Sequence, residues 1–302
     1  MYFFSDEERK YLLRGLLPRA RAAGVAEELR GWNWHQPPLE PVFDVRLAMY
    51  EAAGKYCPTG RDLYLRRVLK HRLEPNRAMA AGTIYHQTVA RVITAAKSLI
   101  YQLGLADIDQ LFARLRQPDL AHVQVVPDAA EHEPRCRAIW DFEAARIIAR
   151  IQEILAKQPY IGEDALVALA VPVVVEYKMD GTLLGLSRTL STDACMLAEP
   201  VVTYLKFGQR HDFHRLTTAG YALVMESVFE HPVNLGCVVY CQFKGHRLLI
   251  ERDFHIIDDE LRQWFIEERD TKARMLFEEA DPGRSENCSG QCPGYQLCMG
   301  DN

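Results

Sequence analysis

Residues 287–300, NCSGQCPGYQLCMG, put three cysteines (Cys288, Cys292 and Cys298) close together in a 302-residue chain that has five others. Such a trio lacks one donor for a four-thiolate centre, so the fourth has to come from elsewhere in the chain. Cys136 follows the charged start of a helix-like segment. Cys195, Cys237 and Cys241 lie in strand-like runs, where a thiol serves as a small apolar group. Cys57 falls instead in YCPTGRD, between two helical segments, where Pro58 and Gly60 free a side chain to point at a site. It is the natural fourth ligand. One centre on Cys57 and the tail would tie distant parts of the chain together and make the fold depend on it. Zinc and an iron–sulfur cluster both accept four thiolates, and the C-x3-C-x5-C spacing leaves both open.

The remaining composition limits where and on what such a chain acts. Hydrophobic residues make up 48% of it, enough for a substantial core, yet no run of about 18 apolar residues occurs to cross a membrane. The opening MYFFSDEERKYLLRG has no apolar stretch or small-residue cleavage site of a signal peptide, so the expected location is the cytoplasm, where thiols stay reduced. The net charge of -5 is unevenly spread. Between Cys57 and Lys97, eight Lys and Arg face only Asp62 and Glu74. A local basic face of this kind can follow a phosphate backbone, and Arg61, Arg66, Arg67 and Lys70 are its candidate DNA contacts.

Periodicity predicts helices near residues 40–54, 60–72, 82–103, 106–117 and 135–157. From Ala170 onward, short β-branched runs broken by glycines predict neighbouring strands, followed by a helix near 212–229. A hairpin centred on Lys244-Gly245 and a closing helix over 256–280 complete the pattern. The chain therefore reads as α+β: a helical part over 1–165 carrying Cys57 and His86, a sheet and helix over 166–255, and a helix with the cysteine tail over 256–302, as one compact unit.

Five motifs occur in order: YCPTGRDLYL, the G-x3-H of GTIYHQ, VVVEYKMDGTLLGLSRTLSTDA, YLKFGQRHDFH before AGYAL, and the terminal cysteine trio. This series resembles the CRISPR-associated Cas-four nucleases, RecB-like members of the PD-(D/E)xK superfamily. With GWNW at 31–34 and DGTLLGLS at 180–187, it is most similar to the archaeal Csa-one branch. The resemblance spans nearly the whole chain. It implies a RecB-like core, a mixed sheet flanked by helices, and a 4Fe-4S cluster on Cys57, Cys288, Cys292 and Cys298. It also implies a Mg²⁺- or Mn²⁺-dependent DNA exonuclease that processes DNA ends for spacer acquisition, alongside the integrase proteins of CRISPR adaptation. The family's tail is more often spaced C-x2-C-x5-C, one residue shorter in its first gap.

Carried onto this sequence, the resemblance makes Asp193 the first acidic metal ligand, His86 an additional ligand, Lys206 the lysine beside the attacking water, and Tyr221 the tyrosine of the family's Q-x3-Y helix, with Thr217 in place of its glutamine. Hard divalent ions prefer carboxylate, imidazole and water, and i, i+2 residues of a strand share a face, which is why an acid and a lysine recur at that spacing. The acid expected two residues before Lys206 is Tyr204, a poor ligand for such an ion at neutral pH. Three explanations stay open: an acid has moved to Glu199, Asp212 or Glu226; the literal E-x-K of Glu176 and Lys178 is the motif; or the chain is a DNA-binding subunit with impaired catalysis. Around a helix, Glu226 should point away from the Tyr221 face.

Overall fold

Long apolar periodicities without strand breakers make the first half helical. In a computed structural model that describes residues 1–124, 128–195, 201–286, 288, 290 and 292–300, and only the backbone of 193–195, α1 (Asp6–Lys10) runs through a π-turn into α2 (Leu17–Ala23). Then come α3 (Met49–Ala53), α4 (Arg61–Arg67), α5 (Arg77–Leu103), α6 (Ile108–Leu115), α7 (Ala121–Gln124), α8 (Ala129–Lys157) and α9 (Glu163–Ala170). Asn76 caps α5 by accepting from Met79 N at 2.9 Å, so this helix begins five residues before its periodic stretch. Helix α8 likewise begins ahead of its predicted start and continues through Pro134. It packs along α5.

The second half supplies β1 (Val174–Met179), β2 (Leu190–Cys195), β3 (Val201–Phe207), α10 (His214–Phe229), β4 (Leu235–Lys244), β5 (Arg247–Ile256), α11 (Asp259–Phe277) and α12 (Tyr295–Met299). Strands β1 and β2 form an antiparallel pair, while β3, β4 and β5 form a three-stranded sheet, parallel between β3 and β4 and antiparallel between β4 and β5. Helix α10 is the crossover that a parallel β3–β4 pair requires. The α+β class expected from the sequence is thus what forms.

Alternation along the strands divides two apolar cores. Val201 and Leu205 of β3, with Cys237, Val239 and Cys241 of β4, face the core built on α5 and α8. Val202 joins the other core, with α3, α10 and α11. Cys136, Cys237 and Cys241 are buried, and burial raises each thiol's pKa, Cys241 to about 12, as small apolar side chains should behave. The side chain of Cys195 lies outside the described residues.

Two expectations need correction. The helix predicted over 40–54 shrinks to α3, because Leu47 pairs as a bridge with Leu186, its N–H bonding Gly185 O and its carbonyl accepting from Ser187. Buried Arg269 and Lys272 of α11 bind the free carbonyls of this stretch, at Leu39, Ala52 and Gly54. The hairpin turn is Gly245-His246, one residue later than predicted: Lys244 pairs with Arg247, and Gly245 takes the positive φ of 63° that the two-residue loop demands.

Glu226 joins these layers. Fully buried, it accepts from Arg30, Gly31 N, Val233 N and, twice, from Arg262. A Cβ on Gly31 would lie 2.1 Å from Leu223 O, so only glycine lets the GWNW segment reach α10. Among the described residues no helix is long and apolar enough to cross a membrane. Removing a buried ion-pair partner typically costs about 3–5 kcal/mol, and Glu226→Ala, which strands the buried Arg262, should lower unfolding free energy by about that much in urea titration. A loss below about 1 kcal/mol would show the network to be dispensable.

Candidate functional site

The turn after Cys57 and the cysteine tail lie side by side. Arg61 of α4 grips Asp281 with two nitrogens, Nε at 2.9 Å from Oδ1 and Nη2 at 2.8 Å from Oδ2, and its charge also acts on the Cys298 thiol. Thr59 Oγ1 donates to Gly283 O at 3.0 Å and stands 3.7 Å from Cys57 Sγ. Gly294, beside Cys292, sits against Leu65 and Leu73. Burial raises the pKa of Cys292 and Cys298, and the charges of Cys57 and Cys288 push both the same way. Cys57 and Cys288 thus act on both Cys292 and Cys298. Among the described residues no three His, Cys, Asp or Glu side chains are already close enough to hold a metal ion.

Lys206 stands at the partly exposed end of β3. Its ammonium lies 5.1 Å from the centre of the Tyr56 ring and 5.9 Å from that of Tyr204, so Tyr204 occupies the same face of the strand, where the acid was expected. In register, Lys206 is paired with Tyr240 of β4. The string QRHDFH turns into α10 and adds His211, Phe213 and His214. His214, buried at 3% exposure, has Nε2 2.8 Å from the Tyr56 hydroxyl and Nδ1 3.2 Å from that of Tyr240, which also donates to His211 O at 3.3 Å. One proton arrangement satisfies all three bonds: Tyr56 O–H to Nε2, Nδ1–H to Tyr240, and Tyr240 O–H to the carbonyl. Burial, Lys206 and His211 push the His214 pKa down to about 3, and burial pushes the Tyr56 hydroxyl up to about 12. This group was missed in the sequence, although the adjacent aromatics and histidines of QRHDFH signalled it.

The other expected residues are placed unevenly. The Tyr221 hydroxyl donates to Ser191 O at 2.6 Å, joining α10 to β2 two residues from Asp193, whose side chain lies outside the described residues. His86 stands edge-on to Phe207, 5.2 Å between centroids, on the face of β3 that Lys206 does not share. Of the candidate replacement acids, Glu199 lies outside the described residues, Asp212 is exposed just before α10, and Glu226 is spent in the arginine network, away from Tyr221 as helical geometry required. Glu176 and Lys178 share an exposed face of β1, which leads through one 3₁₀ turn (Thr182–Leu184) into β2 instead of into an α-helix. With a φ of 51°, Glu176 borders a cavity of about 570 Å³ with Gln87, Arg91, Asp119 and His122. Within the basic stretch, Arg66 and Arg67 both bind Glu51, and Lys70 donates to Arg67 O.

Comparison with known proteins defines the class: the chain is a nuclease, and it matches the family described as CRISPR-associated exonuclease Csa1 over residues 1–301. It belongs to that family. A CRISPR-associated exonuclease Csa1 of Saccharolobus solfataricus is 32% identical over 275 residues, covering 91% of this chain and 92% of the relative. Another protein of the same name, from Thermoproteus tenax, is 28% identical over 287 residues, covering 94% and 96%.

Since the folded chain keeps His214 neutral where an unfolded one takes up a proton near pH 6.5, stability should be full above that pH and fall as pH drops from about 6.5 toward 3. His255, held down to about 4 chiefly by burial, adds to the same slope. Urea midpoints measured from pH 7.5 to 4.5 should therefore decline less in His214→Gln than in the wild type. Parallel declines would remove His214 from the account.

Proposed function

We propose that this chain is a metal-dependent DNA exonuclease with a 4Fe-4S cluster, processing DNA ends for CRISPR spacer acquisition in concert with adaptation integrase proteins. The observation that carries this reading is the β3–α10–β4 unit, with Lys206 partly exposed on its first strand and Tyr221 reaching back to the strand of Asp193. Its RecB-like character rests on that crossover and on the order of the sequence motifs. Asp193 would hold Mg²⁺ or Mn²⁺, which would supply polarisation of the scissile phosphate and a source of hydroxide, while His86, against Phe207 on the other face of β3, would join it only from the strand's end. Lys206 would orient the attacking water and offset developing negative charge, and Tyr221 would hold α10 against β2. Arg66, Arg67 and Lys70, beside Glu51, would follow the DNA backbone. Arg61, engaged by Asp281 and Cys298, would serve the tail first.

The cysteine set fits its centre chemically. Four thiols suit a thiophilic centre, and burial, chiefly, with the charges of Cys57 and Cys288, keeps Cys292 and Cys298 protonated until a bound centre takes the thiolates. The runner-up is a DNA-binding adaptation subunit with impaired catalysis. Tyr204, facing Lys206 where a carboxylate belongs, is the observation that favours it.

With Mn²⁺ and a DNA oligonucleotide, wild type should release nucleotides, and Asp193→Ala and Lys206→Ala should each lower the rate by about a hundredfold or more. Inactive wild type, or variants as fast as it, would leave only the binding subunit. Anaerobically purified protein should be brown and carry iron, and Cys57→Ser should lose both the colour and the iron. Zinc in place of iron would exclude the cluster.

A further inference from the structure

Tyr56 combines two properties that seldom occur together. It is 57% exposed, yet its hydroxyl is fixed to the buried His214, which is in turn bound to Tyr240. His211 and Phe213 meet the ring at near right angles, 82° and 88°, with centroids 5.8 and 4.9 Å away. An exposed tyrosine on a loop ordinarily samples several rotamers. Here the anchored hydroxyl and the two flanking rings hold it in one, so a ligand meeting its face loses little conformational freedom on binding. His211 is exposed as well and stacks on Phe213 at 22°. The Lys206 ammonium stands over the Tyr56 ring, 5.1 Å from its centroid, which leaves a base the ring's other face, and Arg210 stands over Tyr240.

An aromatic plate next to a cation has the two chemistries of one nucleotide unit: a flat π-surface for the base and a positive charge for the adjoining phosphate. We infer that Tyr56, flanked by His211, is a nucleobase-stacking subsite that holds an unpaired base of the DNA strand whose phosphate Lys206 meets. The inference rests on the nuclease reading only for the identity of the ligand as DNA. The subsite requires an unstacked base, so it favours single-stranded or frayed ends over a closed duplex. Stacking reads no base edges, so it accepts all four bases.

The test separates base from phosphate. Binding of a short fluorescein-labelled oligothymidylate, and of an abasic strand of the same length with the same phosphates, is followed by fluorescence anisotropy in EDTA, where no cleavage occurs. Wild type should prefer the base-bearing strand by about fivefold or more. Tyr56→Leu should lose most of that preference while binding the abasic strand as wild type does, and Tyr56→Phe, which keeps the ring, should retain most of it. Thermal unfolding confirms that each variant is folded. No DNA binding, no preference in wild type, a preference unchanged in Tyr56→Leu, or equal weakening toward both strands would each overturn the inference. The nuclease reading stands or falls separately, on cleavage with Mn²⁺ by wild type and Lys206→Ala.

Discussion

A single buried carboxylate holds the layers of this protein in register. Glu226 lies on the last turns of α10, inside the crossover unit, and its partners come from the GWNW segment, from the chain entering β4 and from α11. Desolvating an acid is costly, and the cost is offset only when every lone pair finds a donor in good geometry, which five hydrogen bonds here achieve. Because those donors are distant in sequence, the segment near residue 30, the crossover helix and the C-terminal helix cannot shift independently. Lys206 and Tyr221 sit on the unit that this network clamps.

Much of the scaffold was legible in the sequence, for local reasons. Strands β1 to β5 and helices α5, α10 and α11 carry their own periodicity and turn residues, and they form near the expected places. The failures arise where tertiary partners override local preference. Residues 40–48 look helical, but the backbone of Leu47 is claimed by 185–187, and the cations of α11 hold the carbonyls on either side, at Leu39, Ala52 and Gly54, which nothing in the local pattern reveals. The hairpin slipped by one because the pairing of Lys244 with Arg247 fixes the loop, and the dipeptide alone does not.

The site was legible only in part. Lys206 and Tyr221 could be found from ordered motifs, and Tyr204 could be recognised as a departure, but Tyr56 was passed over as the neighbour of a cysteine. Its significance lies in contacts with residues about 150–158 positions later, which no window of sequence displays. The basic stretch shows a different limit. Counting cations along the chain leaves out that three of them, Arg61, Arg66 and Arg67, pair with Asp281 and Glu51 within the fold. Net charge along a segment says nothing of the acids that fold against it.

The adjacency of Tyr56 and Cys57 has a mechanical result. One peptide unit separates a side chain facing the tail thiols from another facing Lys206, and a peptide plane is stiff. Only the ψ of Tyr56 and the φ of Cys57 flank that plane to take up a displacement. A shift that the cysteine region imposes on this loop therefore reaches the lysine's surroundings through just two torsions, which couples the scaffold to that face.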